Sequence, residues 1–296
     1  MSSPFAYLGQ RAVLSLSGPD TITLLERLVT NDTTNWAPGE TRYGALLTPQ
    51  GKVLSDFLAL RTAEGVLLDT AKAYIEDLAK RLKLFRLRSK VDIQVLEDVF
   101  VVAGLEPADA GVRPISGAQH VYIDPRYPEG RLRGLATKES WAAWYGYHPA
   151  EWSRPMDAYH TDRIANGIPE QGFDFEQAEV FPSDINMDVL GGVALNKGCF
   201  VGQEVVSRMH RRGKIRKRSV TVELTTTKAM PGDALLAPAS IGEITSVENA
   251  HALGRIRVDR FAKAEQDGHP VTVHETAVTI AKPDWLVSEQ AAISEA

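Results

Sequence analysis

The spacing of short strands in the last third of the chain constrains the fold more than any other feature of this sequence. From Ser219 onward, short apolar runs such as Val220–Leu224 and Gly242–Val247 alternate with turns that contain glycine or proline. Closely spaced short strands separated by turn residues are typical of a small β-barrel. We therefore expect a C-terminal barrel that follows a body of different composition.

The part of the chain before the barrel mixes strands with helices. Arg42–Thr48 and Val53–Arg61 are apolar runs separated by a Pro-Gln-Gly-Lys turn, a pattern that predicts a β-hairpin. An amphipathic stretch around Ala71–Leu84 predicts a helix, and strands are expected near Val91–Leu96 and Val99–Leu105. A meander, a helix and further strands favour an α+β fold over a doubly wound parallel sheet.

Composition narrows the class of protein. The 296 residues include 33 Lys and Arg against 38 Asp and Glu, and the net charge of −5 disfavours a globally basic nucleic-acid binder. No apolar run approaches the roughly 18 to 20 residues of a membrane helix, and the first residues do not have the pattern of a secretion signal. The single cysteine, Cys199, excludes an internal disulfide and a site built from several thiolates of this chain. We expect a soluble, cytoplasmic protein.

Residues 196–218 carry most of the candidate chemistry. Cys199 stands between Gly198 and Gly202, two residues after Lys197, and a helix is expected to begin near Gly202. A cysteine just before a helix N-terminus and near an ammonium has its thiolate favoured. The alternative is that a lone cysteine is a small buried apolar residue. His210 lies too far along the chain to be assigned as its base.

Seven Arg or Lys residues lie between positions 208 and 218, with no acid among them. Such a segment attracts carboxylate tails, phosphates or an RNA backbone, and the alternative is a solvated connection between domains. Other common sites lack their motifs, since no HExxH, GxGxxG, GxxxxGK(S/T) or GxSxG sequence occurs.

Residues 197–204, Lys-Gly-Cys-Phe-Val-Gly-Gln-Glu, resemble the K-G-C-(F/Y)-x-G-Q-E signature of YgfZ-type folate-binding proteins. These are relatives of the glycine-cleavage aminomethyltransferase, or T-protein. Weaker matches follow in order along essentially the whole chain: Thr30-Asn31-Asp32, the hairpin from Tyr43 to Asp56, Arg163–Pro169, and Phe181-Pro182 before Asn186–Leu190.

The resemblance implies an α+β fold of three domains around a central cavity, the last of them a small C-terminal β-barrel. Residues 1–45 and 110–170 would form the first, discontinuous α+β domain. Residues 46–109 and 171–213 would form a second, ferredoxin-like α+β domain, and residues 214–290 the barrel.

The resemblance also implies tetrahydrofolate, or a derivative, in the cavity and a role in assembling or repairing iron–sulfur clusters. The clients would include radical enzymes that modify tRNA. The implied partners are folate and iron–sulfur enzymes or cluster-assembly proteins, with nucleic acid a weaker candidate and no membrane or metal site. Cys199 would be the reactive thiol, supported by signature residues Lys197, Gly198, Gly202, Gln203 and Glu204. The expected folate contacts are Tyr43, Asp56, Arg163, Arg208 and Arg211.

Two departures from the T-protein pattern concern catalysis. T-protein relatives have consecutive carboxylates where this chain has Ser55-Asp56, and they have an acid at the position of Ala165. Losing an acid that would assist proton transfer argues against T-protein turnover, whereas Asp56 remains available for folate. We therefore expect a folate-binding assembly factor rather than an enzyme. The alternatives are a folate-dependent aminomethyl- or methyltransferase, and an RNA-binding module that uses Arg208–Arg218.

Overall fold

The computed structural model describes residues 5–108, 115, 117–145, 156–211, 215–225 and 228–294. The chain divides into two compact units, the first formed by residues 1–159 and 190–205 and the second by residues 160–189 and 206–296. Within the described residues, no helix combines the length and apolar character needed to cross a bilayer. The same residues contain no group of three or more His, Cys, Asp or Glu side chains placed to hold a metal ion.

The first unit is built from antiparallel sheets and short helices. Its strands are β1 (Phe5–Tyr7), β2 (Arg11–Ser17), β3 (Thr41–Leu47), β4 (Val53–Arg61), β5 (Gly65–Ala71), β6 (Asp92–Leu96), β7 (Val99–Pro107), β8 (His120–Asp124) and β9 (Arg131–Thr137). Its helices are α1 (Thr21–Leu28), the 3-10 turn Lys72–Tyr74, α2 (Ile75–Arg86) and α3 (Lys138–Tyr145). The chain passes between the two units within α4 (Met156–Ala165), between Val189 and Leu190, and within α5 (Gln203–Arg211).

Strands β3-β4-β5-β2-β6 form a five-stranded sheet in that order, and β1-β7-β9-β8 form a four-stranded sheet. The predicted hairpin is confirmed as the β3–β4 pair. One face of the five-stranded sheet buries α1 and α2 through an apolar core that includes Leu24, Leu28, Leu78 and Leu82. Each fully buried leucine contributes about 1.5–3 kcal/mol to stability, so this core anchors both helices.

The other face of the five-stranded sheet carries polar side chains that bind the four-stranded sheet. Asp69 of β5 accepts hydrogen bonds from Arg11 (2.6 Å) and from the hydroxyl of Tyr122 on β8 (2.8 Å). Arg133 of β9 links Asp69 (3.2 Å) to Asp124 (3.1 Å). All five side chains are buried. Because a buried charge is costly unless it is paired, this network constrains how the two sheets pack.

The elements of the second unit are the 3-10 turn Pro182–Ile185, β10 (Lys217–Glu223), β11 (Ala234–Leu236), β12 (Ser240–Glu248), β13 (His251–Arg257), α6 (Val258–Gln266), β14 (Thr272–Val273), β15 (Thr276–Ala277), β16 (Thr279–Ile280) and α7 (Asp284–Ser294). Its seven strands form one sheet in the order β15-β14-β11-β12-β13-β10-β16. Only Val278 separates the two edge strands, β15 and β16, in sequence, which keeps the sheet's edges close and makes the barrel nearly closed.

The predicted α+β class with a C-terminal barrel is confirmed. The proposed domain boundary between residues 45 and 46 falls inside β3, and β3 pairs with β4 along its length. The assignment of 1–45 with 110–170, 46–109 with 171–213, and 214–290 to three domains stays a prediction.

We expect Asp124→Asn to lower the free energy of unfolding by about 3–5 kcal/mol at neutral pH, because it leaves Arg126 and Arg133 buried without this charge. Burial alone would raise the pKa of Asp124, but the two guanidiniums outweigh burial and hold the pKa well below its ordinary value of 3.8. The carboxylate therefore stabilises the fold fully above about pH 5, and this contribution is lost as the pH falls toward the folded-state pKa.

Urea unfolding of wild type and variant from neutral to acidic pH measures this effect. The difference in free energy of unfolding between wild type and variant should decrease as the pH falls below 3.8. Asp98→Asn is the matched control, since Asp98 is exposed and its contact with Lys138 is long, at 3.7 Å. A difference that does not change with pH would contradict the assigned role of Asp124.

Candidate functional site

The ammonium of Lys197 is buried against the end of α1. Its Nζ donates hydrogen bonds to the backbone carbonyls of Asn31 (2.7 Å) and Val29 (3.0 Å), and it lies 3.4 Å from the carboxylate of Glu26. Only 1% of the side chain is exposed. Burial lowers the pKa of Lys197, and the Glu26 carboxylate opposes that shift. The first residue of the signature is therefore an anchor for the segment that follows it.

Thr30 and Asn31 fasten the residues just before the signature. The Thr30 hydroxyl donates to the carbonyl of Gly192 (2.6 Å), and the Asn31 amide donates to the carbonyl of Gly191 (2.8 Å). The same amide also donates to the carbonyl of Tyr43 on β3 (2.7 Å). The Thr-Asn pair thus holds the segment 191–197 onto the first unit.

Gly202 fixes the other end of the signature. Its φ is +80°, and a Cβ at this position would lie 2.6 Å from the carbonyl oxygen of Thr48 and 3.0 Å from the Cα of Gly51. No L-residue side chain fits such an approach, so the position requires glycine. Helix α5 begins at the next residue, Gln203, which confirms the predicted start of a helix near Gly202.

Cys199 is exposed on the loop between these two anchors. Phe200 beside it is buried, with its ring centroid 5.5 Å from the Lys197 ammonium. Gly198 on the other side is exposed, and a Cβ there would meet no atom within 4 Å. The alternative of a buried apolar cysteine is therefore wrong. The loop displays its thiol to solvent while its neighbours hold the backbone.

The ammonium of Lys197 was expected to lie near this thiol. The structure instead directs it to Glu26 and to two backbone carbonyls. Gln203 supports the loop weakly, through its amide to the carbonyl of Lys197 (3.5 Å), and Glu204 is exposed in the first turn of α5. The roles predicted for Gly198, Gln203 and Glu204 at the thiol stay predictions.

Tyr43 and Asp56 lie together on the polar face of the five-stranded sheet. The Tyr43 hydroxyl donates to the Asp56 carboxylate (3.0 Å), and both side chains are buried. Burial raises the pKa of Tyr43 well above its ordinary value, and the Asp56 charge adds to this, so the hydroxyl keeps its proton. The guanidinium of Arg126 lies 5.3 Å from the centre of the Tyr43 ring. The folate role of this pair stays a prediction.

A small hollow of about 10 Å³ adjoins Tyr43. Aromatic and polar side chains line it together, including Trp36, Phe57, Asn31 and Arg42. Small-molecule sites usually occupy about 300–1,000 Å³, whereas this hollow has room for about one water molecule, so a pterin ring would enter it only if the side chains around it moved apart.

Arg163 lies in the second unit, in a buried network of its own. Its guanidinium donates to the carboxylate of Asp174 (2.6 Å), to the hydroxyl of Ser246 (2.9 Å) and to the ring of His160 (2.8 Å). Only 1% of the side chain is exposed. These contacts hold Arg163 inside the second unit. Its contact with folate stays a prediction.

The basic segment 208–218 is not uniform. Arg208 and Arg211 are exposed on α5, and Arg216 and Lys217 are exposed at the start of β10, whereas positions 212 and 214 lie outside the described residues. Arg218 is buried, where it pairs with two carboxylates from distant parts of the second unit, those of Asp188 (2.6 Å) and Glu289. Arg218 therefore stabilises the fold. That the exposed Arg and Lys residues of this segment bind anions stays a prediction.

Sequence reasoning missed the acidic partners of these cations. Glu26 lies 171 positions before Lys197, and Asp188 and Glu289 lie 30 and 71 positions from Arg218. No local pattern marks a carboxylate as the partner of a distant cation. The Thr30-Asn31 match was visible in the sequence, but its role in holding the loop was not.

Two family models match the chain. Residues 10–105 match the GCVT N-terminal domain, which spans β2 to β7 in the first unit. Residues 216–288 match the CAF17 C-terminal beta-barrel domain, which contains the seven-stranded sheet of the second unit.

The similar curated proteins are iron–sulfur cluster assembly factors. The mitochondrial IBA57 homolog of Mycosarcoma maydis is 32% identical over 254 residues, which cover 81% of this chain and 60% of that protein. That of Pyricularia oryzae is 29% identical, with 85% and 67% covered, and mitochondrial IBA57 of Mus musculus is 26% identical, with 94% and 84% covered. The chain thus spans 60–67% of the length of the two fungal relatives.

The crystal structure of glycine cleavage system aminomethyltransferase T from Bartonella henselae matches with a TM-score of 0.69 at 17% identity, covering 94% of this chain and 84% of that one. The chain therefore has a T-protein-like fold. The predicted resemblance is confirmed for this fold and for the barrel, whereas kinship with YgfZ in particular stays a prediction. The predicted cytoplasmic location is wrong by this comparison, because the relatives are named as mitochondrial proteins, which points to mitochondria instead.

We expect Lys197→Met to lower the free energy of unfolding by about 1–3 kcal/mol, because two buried carbonyls lose their donor. Cys199→Ser is the matched control two residues away, and it should change stability by less than about 0.5 kcal/mol because the thiol is exposed. Chemical denaturation of both variants checks this. Equal stability of the two variants would show that Lys197 does not anchor the loop.

Proposed function

We propose that this protein is an iron–sulfur cluster assembly factor that acts through the thiol of Cys199. The observation that carries the proposal is the loop itself: the thiol is exposed, while Lys197 and Phe200 beside it are buried and Gly202 packs closely against the hairpin turn. A ligand held on a fixed backbone loses little conformational entropy on binding. The names of the similar curated proteins support the same activity.

Cys199 would act as a thiolate ligand or as a persulfide acceptor. Iron–sulfur clusters are usually held by four cysteine thiolates, and this chain contains one. The remaining ligands must therefore come from a cluster-assembly protein or from a second copy of the chain. The client enzymes that we propose include radical enzymes that modify tRNA.

We also propose that the first unit binds tetrahydrofolate or a derivative. The T-protein-like fold supports this proposal, and so does the group of aromatic and polar side chains beside Tyr43, which would have to move apart to admit a pterin ring. Asp56 does not line the hollow, and its proposed role is to fix the Tyr43 hydroxyl, from which it accepts a hydrogen bond. The folate tail would lie outside the hollow. With Ala165 at the position of an acid in T-protein relatives, no proton transfer is assigned to this site.

We expect Cys199→Ser to reduce the activity of iron–sulfur enzymes in cells that depend on this protein, to about the level of cells that lack it. Serine keeps the size of the side chain but is a poor ligand for the cluster. The measurement is client-enzyme activity in cells complemented with wild type or variant, with protein amounts compared by immunoblot.

Asn196→Ser is the control for the thiol, since Asn196 is an exposed neighbour on the same loop. It should restore full activity. Full activity with Cys199→Ser, at equal protein amounts, would rule out a role for the thiol.

We expect tetrahydrofolate to quench the fluorescence of the five tryptophans, and Tyr43→Phe to weaken its binding about threefold to tenfold. The variant loses the hydroxyl that orients Asp56, and a hydrogen bond to a charged group contributes about 1.5–3 kcal/mol at most to such an arrangement. Tyr122→Phe is a close control, because it removes a buried Tyr–Asp hydrogen bond of 2.8 Å in the same unit. The absence of binding at high micromolar concentration would contradict the proposal.

A further inference from the structure

A cationic groove lies at the C-terminal end of α2 and uses none of the residues assigned above. Its volume is about 630 Å³. It lies between the end of α2 and the neighbouring part of α1, and its lining residues are Asp20, Arg27, Phe85, Arg86, Leu87, Arg88 and Ser89. We refer to it as the cationic groove.

Three guanidiniums line the groove without forming an ion pair. Among the described residues, no carboxylate lies within ion-pair distance of Arg27, Arg86 or Arg88. Arg27 donates to a carbonyl of its own helix (3.3 Å) and Arg86 to the carbonyl of Val91 (3.0 Å). The one acid in the lining, Asp20, accepts a hydrogen bond from a backbone N–H (2.7 Å). The groove therefore concentrates positive charge on a chain whose net charge is −5.

Two large apolar side chains that line the groove, Phe85 and Leu87, are exposed, and so is Leu84 in the last turn of α2. Leu87 is 86% exposed, Leu84 is 72% and Phe85 is 37%. Leu87 also has a φ of +48°, a left-handed conformation that is unfavourable for a branched side chain. Neither the strained backbone of Leu87 nor its exposed apolar side chain contributes to the stability of the fold. Strain of this kind concentrates at binding and switch segments.

We infer that the cationic groove binds an acidic segment of a partner protein, in which leucine-like side chains lie between carboxylates. The guanidiniums would bind carboxylates in the bidentate manner that arginine favours, and Phe85 and Leu87 would cover the apolar side chains. A flat membrane surface fits less well, because the apolar stripe of α2 is buried in the core and its exposed apolar side chains are confined to its last turn. A nucleic acid would leave the leucines without a partner.

The test uses a fluorescently labelled, glutamate-rich peptide that carries leucines, titrated with the full-length protein and followed by anisotropy. We expect micromolar binding that weakens with salt, and no binding of the same peptide with glutamine in place of glutamate. Arg88→Glu should weaken binding about tenfold or more. Leu87→Gly should weaken it by a similar factor without lowering stability, because glycine tolerates the positive φ.

The double variant Arg260→Glu/Lys263→Glu is the control for charge, since both side chains are exposed on α6 in the other unit. It should bind the peptide as the wild type does. The inference is overturned if the wild type does not bind the peptide at millimolar concentration, or if Arg88→Glu and Leu87→Gly bind it unchanged. It is also overturned if vesicles of phosphatidylserine or a single-stranded RNA bind the groove and the peptide does not.

Discussion

The buried ammonium of Lys197 determines how the thiol is displayed. Removing an ammonium from water costs several kcal/mol unless hydrogen bonds and an opposite charge replace the lost hydration. The end of α1 supplies both, because α1 ends at Leu28 and the carbonyls that follow have no helical partner. The negative end of the helix dipole favours a cation at the same place. The segment after Lys197 must therefore start from a fixed point, and Cys199 lies two residues beyond it.

The sequence predicted what depends on neighbouring residues and missed what depends on distant ones. The start of α5 at Gln203 follows from the local pattern, and so do the β3–β4 hairpin and the C-terminal strands. The burial of Arg218 does not, because its carboxylate partners come from elsewhere in the chain. Within a run of similar cations, sequence alone cannot distinguish an arginine that is paired inside the fold from one that faces solvent. The exposure of Cys199 was likewise open, because the sequence fits a buried cysteine equally well, and the structure places the side chain at the surface.

The polar layer between the two sheets explains why the sequence places charged residues on buried strand faces. Arg11, Asp69, Asp124 and Arg133 alternate with apolar residues, so each strand turns its apolar side chains to one core and its charges to this layer. Apolar residues of similar volume would pack equally well there, but they would not specify one register. Tyr43 lies on the same face, which makes its position and orientation a consequence of the network.

In the first unit, the residues that fix the backbone of the 197–202 segment differ from the residues that this segment exposes to solvent. Lys197, Phe200 and Gly202 are fixed by contacts within the unit, whereas Gly198 and Cys199 make no close packing contact that would exclude a partner. A protein that had to hold a complete cluster would need its remaining ligands nearby, and the described residues contain no such group. A lone, rigidly held thiol is suited to sharing a ligand across an interface. The chemistry of this site would then depend on which surface meets the loop, and the loop's backbone geometry would determine how closely that surface can approach.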